Sequence, residues 1–125
     1  VILVLRALGV GDLATGVPAV RALRAAFPGE PLALAAPAWL THGSGPQSHL
    51  LLQSARPGKM WAFRSPAGNH PDGPGWSDRE HEVRRWCRML EYYGVAADPS
   101  DLALAVPPGP APHGVTICLL YTSLS

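Results

Sequence analysis

The sequence predicts an α/β fold, a Rossmann-like parallel sheet with flanking helices, and three observations carry that expectation. Residues 1–5 (VILVL) form an unbroken apolar run without polar alternation, as suits a strand covered on both faces. A helical pattern follows, in which Leu13, Val17, Val20, Leu23 and Phe27 share one side while Arg21 and Arg24 fall toward the other. A second apolar run at 31–36 (PLALAA) completes a β-α-β order, whose right-handed crossover places the two strands side by side.

With 125 residues there is room for one domain, and 47% apolar composition is enough for a compact core. The formal charge of +1 indicates neither nucleic acid nor an anionic membrane as the main partner. Cys87 and Cys118 are the only cysteines, too few for a disulfide framework, so a reducing, cytoplasmic setting is the expectation. No leader pattern opens the chain and no apolar stretch nears the roughly 20 residues of a membrane span, so a soluble protein is expected.

Taken in order, strand one runs to about Ala7 and meets the turn Leu8-Gly9-Val10-Gly11-Asp12. Asp12 is expected at the N-cap, where a carboxylate accepts orphan backbone N–H groups and meets the positive end of the helix dipole. Gly16 and Pro18 predict a kink or a late helix start, and Phe27-Pro28-Gly29 a stop. Beyond the second strand, residues 41–49 are turn-rich and pass into a helix ending near Ala55. Residues 59–63 (KMWAF) make a third strand, and 65–75 an irregular surface loop. Ser77 or Asp78 should cap a helix reaching Tyr93, with Val83, Trp86, Met89, Leu90 and Tyr93 as its apolar stripe and Arg84, Arg85 and Arg88 on a solvated face. Gly94 ends it. Residues 101–106 are a short strand or extended segment, and 107–112 (PPGPAP) a stiff linker. The tail from Cys118 to Ser125 departs abruptly from the preceding composition and is expected to be non-native sequence.

Few constellations could carry chemistry. Gly9, Gly11 and Gly16 give GxGxxxxG, the wrong spacing for a dinucleotide fingerprint, and a carboxylate at position 12 would repel a phosphate there. Asp12 can instead be a general base at the carboxyl end of strand one, where open α/β sheets place their ligand crevices. A carboxylate is a weak base toward a hydroxyl, so its help would come mostly from positioning and from accepting the proton late in the transition state. Cap and base both remain open on this evidence. His42 and His49 have no third ligand in view, and His81-Glu82 lacks the second histidine of a zincin because Arg85 stands there, so no metal is expected.

The turn Arg6-Ala7-Leu8-Gly9-Val10-Gly11-Asp12-Leu13, with Gly16-Val17-Pro18-Ala19-Val20 and Phe27-Pro28 after it, resembles the opening of the family 9, heptosyltransferase-like glycosyltransferases. The His42-Gly43-Ser44-Gly45-Pro46-Gln47-Ser48-His49 run and the His81-Glu82-Val83 helix with Trp86 also look like this family's actinobacterial members. The resemblance implies the N-terminal half of a GT-B fold and an inverting, metal-independent transfer of a sugar from a nucleotide sugar to an acceptor hydroxyl, without a cofactor. It implies Asp12 as the base, Gly9 and Gly11 as glycines that let the acceptor approach, and His42, Gln47 and His49 on the acceptor side. A sugar or glycoconjugate acceptor is the implied partner, with the nucleotide sugar held by a C-terminal domain, no nucleic acid, and at most peripheral contact with a membrane.

The chain departs from that pattern by an apparent shortening near 40–42, where Leu40 nearly abuts His42. The organisation expected is an acceptor domain over 1–106, an interdomain linker over 107–114 and a truncated or non-native tail over 115–125, inactive in isolation. The alternative is a non-catalytic Rossmann-like binding or interaction module in which Asp12 only caps a helix.

Overall fold

The computed structural model describes residues 1–5, 10–35, 46–105 and 108–110. It is a small α/β structure in which strand β1 (Ile2–Leu5) is followed by helix α1 (Val10–Ala26) and strand β2 (Leu32–Ala35), with β1 and β2 paired in parallel. The register runs from Ile2 opposite Leu32 to Leu5 opposite Ala35, so the β-α-β unit expected from the apolar runs is present. Helix α2 (Pro46–Ser54), a 3-10 turn (Pro66–Gly68) and helix α3 (Glu82–Tyr92) follow. Among the described residues, no helix is long and apolar enough to cross a membrane.

Helix α1 begins earlier than the Gly-Pro signal suggested and continues through Pro18, whose ring is fully buried. The packing of that ring offsets the hydrogen bond that its missing N–H forfeits. Because the helix already starts at Val10, Asp12 lies within its first turn and not at the cap, still beside the positive dipole end, and Arg24 occupies the last turn.

The apolar stripe of α3 meets α1. Ala19 and Leu23 of α1 form the buried cluster with Leu90 and Val95, and Val4, Phe27, Leu32, Trp61, Trp86 and Met89 pack around it. Gly94 closes α3 as expected, at a φ of 88°, while the Val95 N–H donates to the Leu90 carbonyl at 2.9 Å. The start of α3 differs from expectation. His81 is the N-cap, its Nδ1 accepting from Val83 N at 3.3 Å, while the residues before it form a turn in which Glu80 N donates to the Ser77 carbonyl at 3.4 Å and Arg85 binds the Ser77 and Glu80 carbonyls.

Two further expectations are corrected and a third is narrowed. Residues 59–63 do not pair as a third strand, although Ala62 and Phe63 are buried. Their backbone is satisfied by side chains: Tyr93 Oη donates to the Ala62 carbonyl at 2.9 Å and lies 3.3 Å from Ala62 N, while His49 Nε2 lies 2.7 Å from the Phe63 carbonyl. Residues 65–75 are no mere surface loop, since Ser65 and Gly68 are buried and Ser65 forms an isolated bridge with His70. Of the two alternatives for 101–106, the short strand is not formed over 101–105, which stay outside the sheet.

Gly73 shows how tightly that loop is folded onto the 62–64 segment. Its φ is 115°, and a Cβ there would stand 2.4 Å from the Ala62 carbonyl oxygen, the same atom that Tyr93 bonds. Gly73→Ala combines backbone strain with a steric conflict and is expected to lower stability by about 1–3 kcal/mol, measured by urea denaturation. An unchanged midpoint would show that the loop does not hold this contact.

Candidate functional site

Strand β1 ends at Leu5, α1 opens at Val10, and Asp12 falls in the first helical turn. Its backbone carbonyl accepts from Thr15 Oγ1 at 2.8 Å. The Asp12 side chain is half-buried, and neighbouring Gly11 is exposed with nothing within 4 Å of a Cβ built on it. Among the described residues, therefore, none crowds the position of a Gly11 side chain. Gly9 and His42 lie outside the described residues.

The two remaining expected acceptor residues both sit on α2. Gln47, the second residue of the helix, is exposed, whereas His49 is buried at 5% exposure. The His49 Nε2 is engaged by the Phe63 carbonyl, and its ring lies 5.8 Å from that of His70. A Cβ at Gly68 would come within 2.7 Å of His49 Cβ, so α2 is seated against the 3-10 turn through this histidine. That gives His49 a packing function. α1 packs on α3 instead, so the Asp12 helix and the α2 residues belong to different contacts.

The densest polar cluster was not singled out from the sequence. Arg85, expected on a solvated face, is buried at 6% exposure. Its Nη1 pairs with Glu82, its Nη2 donates to the Ser77 and Glu80 carbonyls at 2.8 and 2.9 Å, and its guanidinium covers the Trp76 ring at 4.1 Å. Phe63, Trp76 and Trp86 meet edge to face around it, with centroids 5.1 to 6.3 Å apart. Arg88 forks onto Glu80, with Nε at 2.9 Å from Oε1 and Nη2 at 2.7 Å from Oε2, and Nη2 also reaches the Gly75 carbonyl at 2.9 Å. The available signal was the three-residue spacing of Glu82 and Arg85, which places them on one helix face.

A shallow, open depression lies over this cluster, lined by Gly75, Trp76, Ser77, Arg79, Glu80 and Arg88. Its one carboxylate, Glu80, is paired with Arg88, and its other charged groups are guanidinium cations that stay protonated, so it offers no poised acid–base pair. Cys87 is buried, and that burial, aided by the charges of Glu91 and Asp98, pushes its thiol upward and away from thiolate chemistry. Among the described residues, no group of three or more His, Cys, Asp or Glu could hold a metal ion.

The bidentate Arg88 contact holds the Glu80 carboxyl below the ordinary carboxylate range, outweighing the opposing effect of burial. The contribution of a carboxylate with a depressed folded value is complete above the unfolded glutamate value of about 4.3 and is lost as pH falls through the folded value. Glu80→Gln is therefore expected to lower stability at pH 7 but not at pH 2, measured as the difference between the two proteins' denaturation midpoints across that range. An equal deficit at both values would rule out the charged pair as the cause.

Compared with known proteins, the chain matches no family model, no curated protein and no solved structure.

Proposed function

We propose that this chain is the acceptor-binding N-terminal half of a GT-B glycosyltransferase of the family 9, heptosyltransferase-like kind. The observation that carries the reading is the placement of Asp12, half-buried in the first turn of α1 just beyond the carboxyl end of β1, within a parallel β-α-β unit. Ligand crevices of open α/β sheets lie at that end. The sequence motif around Asp12 supplies the likeness to the family, and, among the described residues, nothing at Gly11 crowds the approach of a hydroxyl.

In this reading the acceptor hydroxyl oxygen attacks the anomeric carbon of a nucleotide sugar held by a second, donor-binding half. The new C–O bond forms as the bond from the anomeric carbon to the nucleotide phosphate breaks, with inversion, and the nucleotide leaves with the electron pair. The hydroxyl proton passes to the Asp12 carboxylate. Asp12 contributes by orientation and by late proton acceptance, and Gln47, exposed on α2, remains available to the acceptor. His49 supports the scaffold and is not assigned to the acceptor, because its Nε2 is already bonded to Phe63.

The non-catalytic module is favoured by the same commitment of His49 to packing, and in it Asp12 would act only as a favourable charge at the helix dipole. The two readings separate on Asp12→Asn in a protein that carries both halves. Transfer is expected to fall by about a hundredfold or more with little change in the unfolding midpoint. A near wild-type rate would leave Asp12 with the dipole alone. The isolated chain is expected to turn over no nucleotide sugar, and detectable turnover would overturn the half-enzyme reading.

A further inference from the structure

Residues 101–105 pose a physical question: what holds them? They follow α3 without pairing to the sheet, and Leu102 and Leu104 remain 45% and 66% exposed. Apolar burial is therefore a small part of their attachment. The contact that spans them comes from Arg21 of α1. Its Nη1 donates to the Asp101 carbonyl at 3.0 Å and to Asp101 Oδ1 at 2.6 Å, and its Nη2 donates to the Ala103 carbonyl at 2.5 Å.

The geometry suits a guanidinium. A planar fork with several N–H groups can take the Asp101 and Ala103 carbonyls together, which the point charge of a lysine cannot do. A turn just before presents the segment: Asp98 Oδ1 accepts from Ser100 N at 2.8 Å and from Ser100 Oγ at 2.7 Å, and Asp101 N donates to the Asp98 carbonyl at 3.1 Å.

We propose that Arg21 is a latch that holds 101–105 as a strap against α1 and so sets the direction in which the chain leaves toward the Pro/Gly-rich stretch at 107–112. The latch stands on the Arg21 geometry alone. Its consequence for catalysis rests on the reading of the preceding section: a donor-binding half joined through that stretch would hang from the helix that carries Asp12, nine residues or about 13 Å along its axis from Arg21. Arg21 is then a positioning residue for the approach of the two halves.

The test is limited thermolysin cleavage before Leu102 and Leu104 in the full chain, normalised to a free peptide of residues 98–105, with the thermal unfolding midpoint measured in parallel. Arg21→Gln is expected to raise cleavage at both sites about fivefold or more without a matching fall in the midpoint. Asp101→Asn keeps both carbonyl bonds and is expected to raise it less. Arg84→Gln, an exposed charge on α3, is expected to leave it unchanged. Equal cleavage of wild type and Arg21→Gln would overturn the latch, as would an equal rise in Arg84→Gln. Should Arg21→Gln fail to fold, the wild type decides: cleavage rising toward that of the free peptide as sodium chloride screens the contact supports the latch, and cleavage insensitive to salt overturns it. Because no turnover is measured, failure here leaves the assignment of Asp12 untouched.

Discussion

The backbone at Ala62 and Phe63 is buried and, among the described residues, has no strand beside it, and the satisfaction of the polar groups along 62–64 ties the other elements together. A buried peptide group left unpaired costs about 1–3 kcal/mol. The partners come from three separate places. Tyr93 of the α3 cap serves both groups of Ala62, His49 of α2 meets the Phe63 carbonyl, and the Pro74 carbonyl accepts from Arg64 N at 2.9 Å. Each bond ties a distant segment to the same extended stretch. The aromatic contacts reinforce this, because Trp61 stacks on Tyr93 at 5.3 Å and meets Phe27, just past α1, at 6.0 Å.

A second constraint is electrostatic. Burying Arg85 is tolerable only because Glu82, two backbone carbonyls and the Trp76 face surround its guanidinium. The same contacts hold the chain before α3 over Phe63 and Trp86. Arg88 and Glu80 secure the rim of this arrangement from the solvent side. The cluster is consumed by structure.

Helix α1 links these structural and functional aspects. One side of it supplies Ala19 and Leu23 to the core, its first turn carries Asp12, and Arg21 projects to the strap. A helix anchored by its apolar face against α3 is a stiff bar, so groups at its two ends keep a constant separation. In the two-half reading, that stiffness is what lets a latch on one part of the helix bear on a carboxylate at another.

What the sequence determined by itself were the features that depend on local pattern. The β1-α1-β2 order follows from two apolar runs flanking a helical period, the end of α3 from Gly94, and the position of Asp12 near a helix start from the glycine turn. The likeness to a glycosyltransferase family also resides there, in motif alone. Tertiary structure decided the rest. A run such as KMWAF has strand composition whether its backbone finds a neighbouring strand or, as here, a tyrosine and a histidine from elsewhere in the chain. Arg85 is indistinguishable by pattern from exposed Arg84, and only the folding of residues 76–80 over it buries one and leaves the other in solvent. Both outcomes turn on partners many residues away, and spacing within one helix or strand carries no information about them.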